Sequence, residues 1–257
     1  MSGRIPVTGS VPVPRETPPA PTTAQGVFGV RLPLAAAYAD ALATDGVARG
    51  LLGPREAPRL WERHLLNCAV LTEMLDQGTD VCDIGSGAGL PGVVLAIRRP
   101  DLHVVLVEPL LRRTSFLEQV VDRLGLTNVE VLRHRADDLH GAREFSSVTS
   151  RAVAPLPRLL DWCMPLVRES GQMLAMKGST AADEVRDAAE ALRLCGAQLP
   201  VAIHRLGEGV ISPPTTVIRV QSTRASALGL SQGGRRAERP AGRRSRREGR
   251  RRDADRD

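Results

Sequence analysis

The chain has 257 residues and 42% apolar content, enough for one substantial domain with a true core. Aromatic residues make up only 2%, so the core must be packed mainly from Leu, Val and Ala. The formal charge of +6 is concentrated at one end: residues 222–257 hold 12 Arg against 5 acids, a net of +7, which leaves residues 1–221 at −1 and excludes a body that is basic throughout.

Residues 1–26 (MSGRIPVTGSVPVPRETPPAPTTAQG) are rich in Pro and Thr and show no periodicity, which predicts a segment without fixed structure. They lack the continuous apolar stretch of a signal peptide, and no window of the chain comes near the 18 apolar residues of a membrane span. The protein is therefore expected in the cytosol, with no membrane partner. Residues 33–48 and 55–76 carry helical apolar spacing; in the second, Leu60, Trp61, Leu65, Cys68, Leu71 and Leu75 recur at steps of three and four. The rhythm then changes. Strand-like runs appear at 79–83, 103–107, 128–132, 145–149 and 171–176, with helical segments near 90–98, 111–124, 155–168 and 180–195 between them. Two more strands, near 198–206 and 215–221, are joined by a short link that suits a hairpin.

Alternating strands and helices predict an α/β fold, a mostly parallel sheet with helices on both faces, here closed by an antiparallel pair to give seven strands. The expected division is a helical extension over 27–77, a Rossmann-like core over 78–222, and an arginine-rich tail over 223–257 without fixed structure. The run GRRSRREGRRR in that tail would attract any polyanion without reading sequence, or simply stand as a solvated extension. Cys68, Cys82, Cys163 and Cys195 fall into no metal-ligand spacing and are expected as buried reduced thiols; no metal is implied.

The chemistry concentrates on VCDIGSGAGLPG, residues 81–92, where the first strand breaks into a glycine turn. In sheets of this kind ligands bind beyond the carboxyl ends of the strands, at the point where strand order reverses. No Gly-Lys pair exists for a Walker A loop, so ATP held in that way is excluded. The glycines themselves leave two frames open, because the run from Gly87 through Gly89 to Gly92 also satisfies the dinucleotide pattern. Asp83 shifts the balance. A carboxylate pointed at the turn would repel a pyrophosphate but suits the ammonium and sulfonium of S-adenosylmethionine. Glu108 ends the second strand, where an acid can accept from ribose hydroxyls. Asp137 follows the third, within reach of an adenine amino group, or alternatively serves as a helix N-cap. Arg151 follows the fourth and could grip a carboxylate or a phosphate with its bidentate fork. For a polyanionic partner the candidate contacts are Arg55, Arg59, Arg63 and His64 on the second helix, with Arg112, Arg113, Arg151 and Lys177 near the rim; the alternative for the helix is a solvated charged face shared with Glu56 and Glu62.

In chain order, RLWERHLLNC, DIGSGAGLPG, EPLLRRTSFL, RADDL, SRAVAPL and LAMKG span roughly residues 55–178. Together they resemble the bacterial small-subunit ribosomal RNA methyltransferase G family, also called glucose-inhibited division protein B. The resemblance covers most of residues 31–221 and neither tail. It implies a class I methyltransferase fold with S-adenosylmethionine as cofactor and N7 of one guanine in 16S ribosomal RNA as target, in the small subunit or an assembly intermediate of it. Carried over by position, the cofactor contacts fall on Gly85, Leu90, Ala136, Asp137 and Arg151, with Asp83, Gly87 and Glu108 as further candidates; the family commonly has Glu where this chain has Asp137. Such a transfer requires no general base, and the sequence offers no constellation that would form one. The alternatives are a class I methyltransferase acting on another RNA, a protein or a small molecule, and a nucleic-acid-binding module without activity. A nicotinamide enzyme is disfavoured by Asp83.

Overall fold

A computed structural model describes residues 17–151 and 153–223. Strands β1 (Asp80–Ile84), β2 (His103–Val107), β3 (Val129–Leu132), β4 (Phe145–Arg151), β5 (Val167–Lys177), β6 (Ala202–Leu206) and β7 (Thr215–Gln221) form one sheet in the order β3-β2-β1-β4-β5-β7-β6. The first five are parallel, while β7 runs antiparallel to both β5 and β6. This is the seven-stranded arrangement expected, and it puts the reversal of strand order between β1 and β4. Helices α4 (Gly92–Arg98), α5 (Leu111–Leu124), α6 (Leu156–Cys163), α7 (Ala181–Asp187) and α8 (Ala189–Leu194) connect the strands. Central strands read as apolar runs because both faces are covered: in β2 every residue from Val104 to Val107 is buried. One face packs on α4, α5 and the N-terminal helices, the other on α6, α7 and α8.

Several boundaries differ from the sequence reading. Residues 180–195 form two helices that part at Ala188. Strand β5 begins at Val167, so the helix expected to reach 168 ends early, in a short 3-10 turn over Met164–Leu166. Strand β6 starts only at Ala202, past Pro200, which has no N–H to give a ladder. The segment expected to be without structure is partly ordered: α1 (Thr22–Phe28) buries Ala24 and Phe28, and Phe28 meets Trp61 edge-on with ring centroids 6.4 Å apart. Packing there outweighs weak local propensity. Residues 1–16 and 224–257, including the arginine run, lie outside the described residues.

The extension continues as α2 (Leu32–Ala41) and a π-turn over Leu42–Gly46. Contrary to the expectation that no segment comes near a membrane span, the helical run Thr22–Gly46 has 25 residues and a hydropathy of 1.2, long and apolar enough by composition to cross one. Many alanines reach that value without a continuous block of large apolar side chains. Tyr38, Ala39 and Leu42 within it are fully buried, and α2 packs on α4 and α5. Over residues 54–74 the regular helix expected is replaced by 3-10 winding (Pro54–Arg59), π winding (Leu60–Leu66), a single turn α3 (Asn67–Ala69) and 3-10 winding again (Val70–Met74). Pro54 and Pro58 supply no N–H to a regular ladder, which accounts for the tighter winding at the start.

Asp83 sits beneath the glycine turn. Its side chain is completely buried, its Oδ2 accepts the Gly92 N–H at 2.9 Å, and its Oδ1 meets no partner. A Cβ on Gly92 would overlap both Leu106 and this carboxyl, so only glycine allows α4 to start so close to the sheet. Burial pushes the Asp83 pKa up to about 7, against the opposing pull of the Gly92 N–H and Arg151. An acid whose folded pKa lies above its unfolded value holds a proton in the native state that the unfolded chain has already lost. Stability should therefore fall as pH rises from about 4 to about 7, at up to about 1.4 kcal/mol per unit. Urea unfolding of Asp83→Asn should show that part of the slope abolished. Gly92→Ala should cost about 1–3 kcal/mol in the same assay.

Candidate functional site

A cavity of about 620 Å³ opens at the carboxyl ends of β1, β2 and β4, beside the point where strand order reverses. A second cavity of about 560 Å³, lined by Gln172, His204 and Arg219 among others, lies near the opposite ends of the parallel strands. The first gathers the residues that the sequence singled out: Gly85, Gly87, Leu90, Glu108, Ala136, Asp137 and Arg151 all line it. Asp83 does not. Reading its carboxylate as a partner for a bound cation is corrected by its burial under the turn, where it binds the Gly92 N–H instead.

The turn is bare backbone held in an unusual path. Gly85, Gly87 and Gly89 all have positive φ, at 70°, 58° and 96°. Tyr38 of the extension donates its hydroxyl proton to the Ala88 carbonyl at 2.7 Å, and a Cβ on Gly89 would stand 2.9 Å from that hydroxyl. The turn is thus clamped between Asp83 below and Tyr38 at its side.

Glu108 is buried at the end of β2. Its Oε2 accepts from Gly87 N–H and from Arg113 Nη1, both at 3.1 Å, and its Oε1 accepts from Leu110 N–H at 3.1 Å. Two carboxylate oxygens offer about four lone-pair sites, so one is left for a hydroxyl donor. Arg113, expected as a rim contact for a polyanion, is the counter-charge of this acid. Asp137 is exposed on a 3-10 turn, Ala136–Leu139. It is not the cap of that turn, because the capping carboxylate is Asp138, which accepts from Arg135 N–H at 2.9 Å. That leaves Asp137 available at the cavity wall.

Arg151 reaches from β4 to the extension. Its Nη2 donates to the Arg63 carbonyl and to His64 Nδ1, each at 3.0 Å, and Nη1 approaches Cys68 Sγ at 3.1 Å. His64 Nε2 in turn lies 2.9 Å from Glu56 Oε2. His64 is buried, and burial first, then the Arg151 charge, push its pKa down to about 4. It is therefore no cationic contact for RNA, which corrects the sequence reading. Lys177 is corrected as well: only 8% of its side chain is exposed, and the ammonium donates to Ala154 O at 2.8 Å and Glu184 Oε2 at 2.7 Å. Lone basic residues in sequence look solvated until the fold supplies an acid. Arg59 and Arg112 are exposed as expected, and Arg63 is about half exposed with a partner at Glu56, 3.3 Å away. His134 and Arg135 line the cavity mouth and went unnoticed in the sequence. The run Arg133-His134-Arg135 directly after a strand was the available signal.

The geometry admits S-adenosylmethionine. A tightly wound glycine turn, a buried acid with a free lone pair, an uncapped Asp137 and a guanidinium at the rim surround a space within the usual range for small-ligand sites. Comparison with known proteins agrees. A family model described as rRNA small subunit methyltransferase G matches residues 31–209. Relatives named ribosomal RNA small subunit methyltransferase G include one from Nocardioides sp., 58% identical over 81% of this chain and 83% of its own length. Others come from Streptomyces avermitilis, at 54% identity over 85% and 90%, and from Thermobifida fusca, at 52% over 87% and 94%. The chain belongs to the rRNA small subunit methyltransferase G family.

Proposed function

We propose that the protein methylates N7 of one guanine in 16S ribosomal RNA, in the small subunit or an assembly intermediate of it, and does so in the cytoplasm where subunits are built. The observation that carries this reading is the cavity at the strand-order reversal, where the glycine turn, Glu108 and Arg151 converge in a member of this family. When bound, S-adenosylmethionine supplies an electrophilic methyl group on a sulfonium. Guanine N7 offers an in-plane lone pair that needs no deprotonation. Transfer of that methyl would form one N–C bond as one C–S bond broke, and no residue of this chain would have to move a proton.

The residues then have binding and orienting roles. Glu108 accepts from one ribose hydroxyl while its other sites stay on Gly87, Leu110 and Arg113. The turn from Gly85 to Leu90 would hold the cofactor along its length, Ala136 and Asp137 its adenine, and Arg151 its carboxylate. Holding N7 in line with the methyl at ~3 Å supplies the main rate effect, up to roughly 7–11 kcal/mol. The exposed Arg59, Arg63 and Arg112, with His134 and Arg135 at the mouth, hold RNA phosphates. The tail run GRRSRREGRRR adds affinity without adding specificity.

Incubation with labelled S-adenosylmethionine and small subunits from a strain lacking the gene should label one 16S guanine; no label would refute the reading. Glu108→Ala should weaken cofactor binding about 10- to 100-fold by calorimetry. Arg59→Ala and Arg112→Ala should instead spare cofactor affinity and each lower the salt dependence of RNA binding by about one phosphate contact. Truncation at Thr223 should weaken RNA binding and flatten its salt dependence further.

A further inference from the structure

Glu56, His64 and Arg151 form a line of side-chain contacts from the surface of the extension to the cavity wall, and the imidazole at its centre has two opposite tasks. The guanidinium of Arg151 can only donate, so His64 Nδ1, 3.0 Å from Arg151 Nη2, must carry no proton. The ring proton therefore sits on Nε2, which donates to Glu56 Oε2 at 2.9 Å. In the opposite tautomer an N–H would face the guanidinium N–H groups, and a bare nitrogen would face the carboxylate. Both contacts would be lost together. Arg151 is also tied to Arg63 O and Cys68 Sγ, so losing His64 would loosen the guanidinium without freeing it.

We infer that Glu56 selects the His64 tautomer and that His64 in turn aims Arg151 at the cavity, making Glu56 and His64 positioning residues for methyl transfer. The link to transfer rests on the reading that Arg151 holds the cofactor carboxylate; the tautomer itself does not. His64, a candidate RNA contact by sequence, thereby gains a role on the cofactor side, and Glu56 gains one more than 90 residues before Arg151.

Nitrogen-15 NMR of the histidine-labelled full chain at pH 7 reads the tautomer directly. His64 should show a bare Nδ1 and a protonated Nε2. Glu56→Gln, which keeps an acceptor, should preserve that pattern, and Glu56→Ala should shift it toward Nδ1–H. Arg63→Ala should leave it unchanged, because only the neighbouring ion pair is lost. In calorimetry His64→Ala and Arg151→Ala should each weaken S-adenosylmethionine binding on the order of tenfold. The double variant should bind no worse than Arg151→Ala alone, and His64→Asn, which keeps an acceptor near the Nδ1 position, should recover most of the loss. A protonated Nδ1 in the parent protein, a tautomer indifferent to Glu56→Ala, or additive losses in the double variant would overturn the inference. Should His64→Ala fail to fold, the Glu56 variants, altered where the side chain is partly exposed, still decide it. If Arg151→Ala binds cofactor normally while the tautomer follows Glu56, the relay stands and the carboxylate assignment to Arg151 falls.

Discussion

Between Asp83 and Gly92 the backbone must leave a strand buried from Val81 to Ile84, turn through three left-handed glycines and start a helix against the same sheet. The turn holds itself only in part: the Gly89 and Leu90 N–H groups donate to Ser86 O, and those of Gly85 and Ser86 donate to Val107 O. Glycines have many other paths open to them, so side chains from outside fix the rest of it. Asp83 fixes it from beneath through the Gly92 N–H, Glu108 through the Gly87 N–H, and Tyr38 through the Ala88 carbonyl. Two of these three groups are carboxyl side chains buried in the sheet. Burial makes each bond stronger, and it makes each acid costly to leave without its partner.

Tyr38 shows that the helices before β1 are more than an appendage. They supply the hydroxyl that clamps the turn, the carbonyl and imidazole that hold Arg151, and Leu51 and Leu52 in the cavity wall. The parallel sheet supplies a generic crevice. The extension closes one side of it and decides how the rim cation is presented.

Much of this was legible in the sequence. Strands buried on both faces read as apolar runs, and the glycine turn, Glu108 and Asp137 each follow a strand that the pattern located, while Arg151, expected just past the fourth strand, is its last residue. What escaped depended on side-chain direction and distant partners. Asp83 is in strand β1, where alternation places it on the same face as Val81, beneath the N-terminal helices; its nearness to the turn suggested the ligand side instead. Lys177 and His64 look like solvated bases until Glu184 and Glu56 are brought to them by packing. The irregular winding over 54–74 carries the right apolar spacing, because 3-10 and π segments of similar length nearly average to an α-helix.

Strand order also constrains how the chain can be assembled. Among the described residues the last strand made, β7, lies inside the sheet between β5 and β6, and β6 pairs with no strand but β7. A nascent chain that has released β6 can therefore not yet pair it, and the right-hand third of the sheet waits for residues 215–221. Cutting within that stretch would remove an interior plank and strand its neighbour, whereas cutting just beyond Thr223 spares every ladder. The point at which the protein becomes whole lies almost at the boundary where its arginine-rich sequence begins.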